Sequence, residues 1–159
     1  MAKVTAVGFD ELAKQLETLA DHSGSIASAA LYSGAGMMAD KVRNAVDSQQ
    51  TQPDRKHKGK ALLPYEKEAL QNGLVIEKFV QDKARDYTQT AITFKGRTDH
   101  RTENYPDGIP TILLARAINK GTSFRSANRF FNNTVNRTRA EAERLMTETA
   151  EREMKKYIK

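Results

Sequence analysis

Asp99, His100 and Glu103, in the run "DHRTE", are the residues whose types could gather around a divalent metal, because imidazole nitrogen and carboxylate oxygen are both metal ligands. Their setting argues against it. They lie on a polar stretch with no helical or strand repeat to hold them in one geometry, and side chains so placed are ordinarily solvated. His22, His57 and His100 stand in three separate polar contexts, and no pair has the four-residue spacing of a helical zinc site. Cysteine is absent, so there is neither a thiolate nucleophile nor a disulfide. No serine sits in a G-x-S-x-G elbow, and "SGAGMM" at 33–38 lacks both the lysine and the preceding strand of a phosphate-binding loop. The reading is a non-enzyme, with no metal and no cofactor.

Charge carries more information. Lys and Arg number 26 against 20 Asp and Glu, a net charge of +6. The excess is unevenly spread. Between residues 116 and 139 stand Arg116, Lys120, Arg125, Arg129, Arg137 and Arg139, with no Asp or Glu among them. A second cluster, "DRKHKGK" at 54–60, contributes Arg55, Lys56, Lys58 and Lys60. Such clusters attract phosphates or acidic protein surfaces, and equally serve as solvated faces. The sequence holds no helix-turn-helix, zinc-finger, ribonucleoprotein or basic-zipper pattern, so any DNA contact is expected to be nonspecific and made to phosphates. No apolar run approaches the roughly 20 residues of a membrane span, and no apolar leader core follows Met1. A soluble protein, made inside a cell and making no membrane contact, is expected.

The elements that would carry these residues can be read from periodicity. "GFDELAKQLETLAD" places Leu12, Leu16 and Leu19 on one face of a starter helix, with Asp10 as a cap. After "HSGS", Ile26, Leu31, Ala35, Met38, Val42 and Val46 recur mostly at intervals of three or four, predicting a second helix over about 25–48 whose Gly34 and Gly36 would let another backbone come close. Residues 48–63 read as an exposed, mobile loop. Pro64 starts a short helix that Gly73 ends. "LVIEKFV" and "DYTQTAITFK" form a hairpin around "QDKARD", its second arm marked by Ile92 and Phe94 alternating with Thr93 and Lys95. A long polar loop, 96–109, precedes "TILLARAIN", a short helix stopping at Gly121, with a strand as the alternative. The final helix carries an apolar stripe from Phe131 through Val135, Ala142, Leu145, Met146, Thr149 and Met154 to Ile158, with Glu148–Arg152 and Glu151–Lys155 spaced for ion pairs. At 159 residues this is one α+β domain, helix-rich, with a small antiparallel hairpin or sheet and a long C-terminal amphipathic helix.

The run "EALQNGLVIEKF…TQTAITFKGR…YPDGIPTILLARAINKGTSFRSANRFFNNTVNRTRAEAERLM" resembles the neck and tail-completion family of long-tailed bacteriophages, also described as minor tail or head-tail joining proteins. The likeness spans about residues 68–146, and its most specific pieces are "ARAINKGTS" and the Phe130 that follows. The family has proline before that aromatic and again shortly after, where this chain has Arg129 and Asn133, which removes a fixed φ angle from the turn. The resemblance implies a virion structural protein assembled in the host cytoplasm. It would be the subunit of a homo-oligomeric ring at the head-tail junction or tail top, with neighbouring phage neck and tail proteins as partners. Gly121, Thr122, Phe130 and Phe131 would form a hinge that sets the last helix. The basic residues would meet acidic neighbours or phage DNA. The other reading of the two phenylalanines is that they close the core, as large aromatics usually do. The other reading of the protein is a nonspecific DNA binder acting through residues 54–60 and 116–139.

Overall fold

A computed structural model describes residues 9–54, 59–82 and 87–158. Its longest element, α1 (Phe9–Asp47), replaces the two helices expected there with one. The sequence reading placed a break at "HSGS", but the serines stay helical by donating to the preceding turn, Ser23 Oγ to the Ala20 carbonyl and Ser25 Oγ to that of His22, each at 2.8 Å. Packing supplies the rest. The His22 ring stacks on Tyr157 with centroids 4.0 Å apart, and Ser33 Oγ donates to Thr149 Oγ1 at 3.1 Å. Those contacts come from α4 (Phe130–Met154) and the turn after it, which run antiparallel along α1. A helix of this length draws its stability mainly from such a partner rather than from propensity.

Close approach of the two helices depends on Gly34. A Cβ there would lie 2.5 Å from Met146 Cγ, so the small residue makes room chiefly for an α4 side chain rather than for the close backbone the sequence suggested, and Gly36, given the same role, has open space where a Cβ would stand. On α4 the stripe is present but shifted. Phe130, Thr138, Ala142 and Thr149 are its buried members, Leu145 and Met146 are half-buried, and Ile158 is exposed beyond the helix end. Glu148 pairs at 3.7 Å with Arg144, four residues before it rather than four after, and Arg152 pairs with its neighbour Glu153 at 3.9 Å, so the partners differ from those expected.

The short helix α2 (Pro64–Gly73) has Pro64 in its first turn, and leads directly into the hairpin. Strand β1 (Leu74–Ile76) pairs antiparallel with β4 (Ile92–Phe94), Leu74 facing Phe94, and β2 (Val80–Asp82) pairs with β3 (Tyr87–Gln89), Val80 facing Gln89. Between the two ladders residues 77–79 face residues 90–91, so the first arm carries one extra residue and the register slips there, as at a bulge. The predicted hairpin is therefore a two-part ribbon. Tyr32 of α1 steadies it at the step, its hydroxyl accepting the Phe79 N–H at 2.6 Å. α3 (Thr111–Lys120) is a helix, which settles the helix-or-strand alternative.

One core joins these pieces: Val42 and Val46 of α1, Leu70 of α2, Phe94 of β4, and Leu114 and Ile118 of α3. Leu62 belongs to it and is fully buried, so the stretch read as an exposed loop over 48–63 ends inside the protein. A parallel bridge explains this, with Gln52 N–H donating to the Leu62 carbonyl and Leu62 N–H to that of Gln50, each at 2.9 Å. The polar loop 96–109 is tied across its base: Thr98 N–H donates to the Ile109 carbonyl at 2.9 Å, and Arg97 Nη1 to that of Gly108 at 2.9 Å.

Candidate interaction surface

The segment between α3 and α4 begins with a glycine that no other residue can replace without strain. Gly121 has φ 79° and ψ 172°, a region nearly confined to glycine, and a Cβ there would lie 2.8 Å from the Ala127 nitrogen. Its N–H caps α3 by donating to the Ala117 carbonyl. The chain then doubles back through a tight turn in which Thr122 and Arg125 exchange backbone hydrogen bonds of 2.9 and 3.3 Å. Thr122 is exposed, and at the tip Phe124 is 64% exposed.

Arg125 corrects the expectation of a surface contact. It is 3% exposed, and its guanidinium grips Glu66 of α2 in a fork, Nη1 to Oε1 at 2.9 Å and Nη2 to Oε2 at 3.0 Å. Nη2 also donates to the Ala61 carbonyl at 3.1 Å. The second oxygen of Glu66 accepts the Leu63 N–H at 2.8 Å, so one carboxylate caps the start of α2 and holds the turn before α4. With its charge spent inside, Arg125 is not offered to phosphate or to a partner's acids. Its Nε is buried and finds no acceptor among the described residues.

Asn128 completes the fastening. Its N–H donates to the Ile118 carbonyl at 2.8 Å, and Nδ2 reaches Gln49 Oε1 at 2.7 Å and the Lys60 carbonyl at 3.0 Å. Arg129 then caps α4 with φ −79°, inside the range proline imposes, so hydrogen bonds here do what a proline ring would. Phe130 enters the core and Phe131 packs against it, its ring tilted 58° to Phe94 at 5.7 Å between centroids. Both phenylalanines therefore close the core beneath α4.

Of the sequence-predicted cations, Arg116, Lys120, Arg129 and Arg137 are exposed, and among the described residues none of them makes an ion pair. Arg139 is paired with Glu143 at 2.9 Å. Lys60 is exposed, and its carbonyl bond to Asn128 brings the end of the first basic cluster against the second; Arg55, Lys56 and Lys58 lie outside the described residues. The histidine and acid group is not assembled: His100 stacks on Tyr65 with centroids 4.5 Å apart, and no three metal-binding side chains converge among the described residues. Likewise no described helix is long and apolar enough to cross a membrane.

Beside the turn lies a feature the sequence reading missed. Tyr65 of α2, Tyr105 and Ile109 of the polar loop, Leu113 and Ala117 of α3, and Phe124 line a mostly apolar groove of about 340 Å³, and Arg125 forms part of its wall. Tyr105, Leu113 and Phe124 are each exposed at its edge. Comparison of the chain with models of protein families, with curated proteins and with solved structures finds no match.

Proposed function

We propose that the chain is a structural subunit of a phage head-tail junction or tail top, acting in tail completion and head-tail joining as a member of a ring. The observation that carries this reading is the set of exposed, unpaired cations Arg116 and Lys120 on α3, Arg129 at the start of α4 and Arg137 within it, the two helices joined by a turn that the Arg125–Glu66 fork and Asn128 hold fixed. A fixed, charged, aromatic-tipped surface suits docking against an acidic neighbour by shape and multivalent contact, since a ring repeats each weak contact and gains avidity. The likeness in "ARAINKGTS" and Phe130 supports the same role. No catalytic step is part of it.

A phage deleted for this gene is expected to fill or begin to fill heads and to build tail tubes, yet to yield few joined, infectious particles by electron microscopy and plaque titre. Purified protein added to that lysate restores joining without nucleotide or metal. Normal titres and intact virions from the deletion overturn the proposal.

A further inference from the structure

Helix α1 outruns its partner. His22 meets Tyr157 just past the end of α4, so residues 9–21, roughly 20 Å of helix, project beyond the α1–α4 pair. The projecting end is amphipathic. Leu12, Leu16 and Leu19 share one face at helical spacing, and Leu12 is 50% and Leu16 58% exposed. Two large leucines left in water on one helix face form a surface in want of a partner.

The apolar groove at Tyr105, Leu113 and Phe124 is the complement, and it lies at the other end of the molecule. Gln49 and Asp47, at the C-terminal end of α1, bond to Asn128 and to Lys67 of α2, which places the groove's walls beside that end. Helix α1 is 39 residues long, about 58 Å, so the two surfaces cannot meet within one chain. Charge complements them on the α3 side of the groove. The projecting end carries exposed Asp10, Glu11, Glu17 and Asp21 against Lys14. On the groove's α3 side, Lys120 continues the face of Leu113 and Ala117, with Arg116 and Arg129 nearby in the chain; the loop side carries Arg101 with Glu103 and Asp107.

We propose that copies of this chain associate head to tail, the leucine face of one α1 seating in the Tyr105–Leu113–Phe124 groove of the next. An interface made of two different patches propagates from subunit to subunit and closes into a ring when the rotation permits. The inference deepens the ring reading given above and rests on it for its biological setting, while its physical content is testable in the purified protein.

The test uses full-length protein in sedimentation velocity over a range of concentrations, with circular dichroism as the folding control. Wild type is expected to form assemblies that shrink as salt rises. Leu16→Asp and Phe124→Asp change exposed residues, keep the helical spectrum, and are each expected to reduce the protein to monomer. Mixed one to one, each variant supplies the patch the other lacks, so the mixture forms a species of twice the monomer mass and goes no further. Assembly of either single variant to the wild-type size overturns the proposal, as does a wild type that stays monomeric, or a mixture that stays monomeric while both variants are folded. None of these outcomes touches the joining proposal, which stands or falls on the deletion phage.

Discussion

Removing either member of the Arg125–Glu66 pair leaves the other buried without its forked partner, since their side chains are 2% and 4% exposed. Arg125→Ala takes both guanidinium bonds away from a buried carboxylate, and Glu66→Ala leaves a buried guanidinium with the Ala61 carbonyl as the acceptor for its side chain among the described residues. Each is expected to cost about 3–5 kcal/mol, the usual penalty for breaking a buried pair from one side. Arg125→Lys recovers little, because an ammonium cannot span both carboxylate oxygens and the Ala61 carbonyl as the planar fork does. The double variant Glu66→Leu/Arg125→Met should lose less than either single truncation, since no charge is left behind. Urea unfolding reads these differences as shifts in midpoint at unchanged slope. Midpoints that do not move in the single variants would mean that water reaches the pair. That this arginine is internal was illegible in the sequence, where it stands in an acid-free run with its partner 59 residues away. What could be read was Glu66 in the first turn of a proline-started helix, a position that signals capping and nothing about a distant guanidinium.

At the scale of elements, two glycines one turn-fraction apart on α1 separate packing from propensity. Gly36 has open space where a Cβ would stand, so Gly36→Ala should raise stability by about 0.5–1 kcal/mol through reduced backbone freedom in the unfolded chain. Gly34 faces Met146 and the Ala142 carbonyl, so Gly34→Leu should cost about 1–3 kcal/mol by forcing α4 outward. Thermal melts of the two variants moving in the same direction would contradict the α1–α4 contact. The elements legible beforehand were those whose signals are local: the Pro64 start of α2, the Gly121 stop of α3, and the Ile92–Phe94 alternation of β4. The continuity of α1 was not among them, because "HSGS" is a poor helix former and the contacts that carry it, His22 to Tyr157 and Ser33 to Thr149, come from the far end of the chain. The buried Leu62 failed to show for the same reason: the first leucine of a short Leu62-Leu63 pair after a basic run becomes core only through its pairing with residues 50–52. The apolar groove is assembled from α2, the polar loop, α3 and the turn after it, and no one of the four has a period that announces it.

For the whole molecule the open question is what the unpaired cations meet, and their exposure makes it answerable without disturbing the fold. Phosphate neutralisation by each cation releases counterions, so the logarithm of DNA affinity falls with the logarithm of salt by about 0.9 per contact on duplex DNA. Changing Arg116, Lys120, Arg129 and Arg137 together to Gln would then flatten that slope by up to about 3–4 units, with little dependence on base sequence. Arg125 is left in place in this experiment, because its guanidinium is committed to Glu66 and its loss would read as unfolding rather than as weaker binding. An acidic protein partner predicts a different result: wild type shows no retention on duplex DNA even at low salt, and the same four-site variant fails instead to restore joining when added to a lysate of the deletion phage. The variant's circular dichroism and melting should match wild type in either case, since none of the four side chains is buried and none has an ion pair among the described residues. Wild-type DNA binding with an unchanged salt slope in the variant would remove these residues from the contact altogether. Full joining activity from the variant would likewise remove the basic surface from the proposed function.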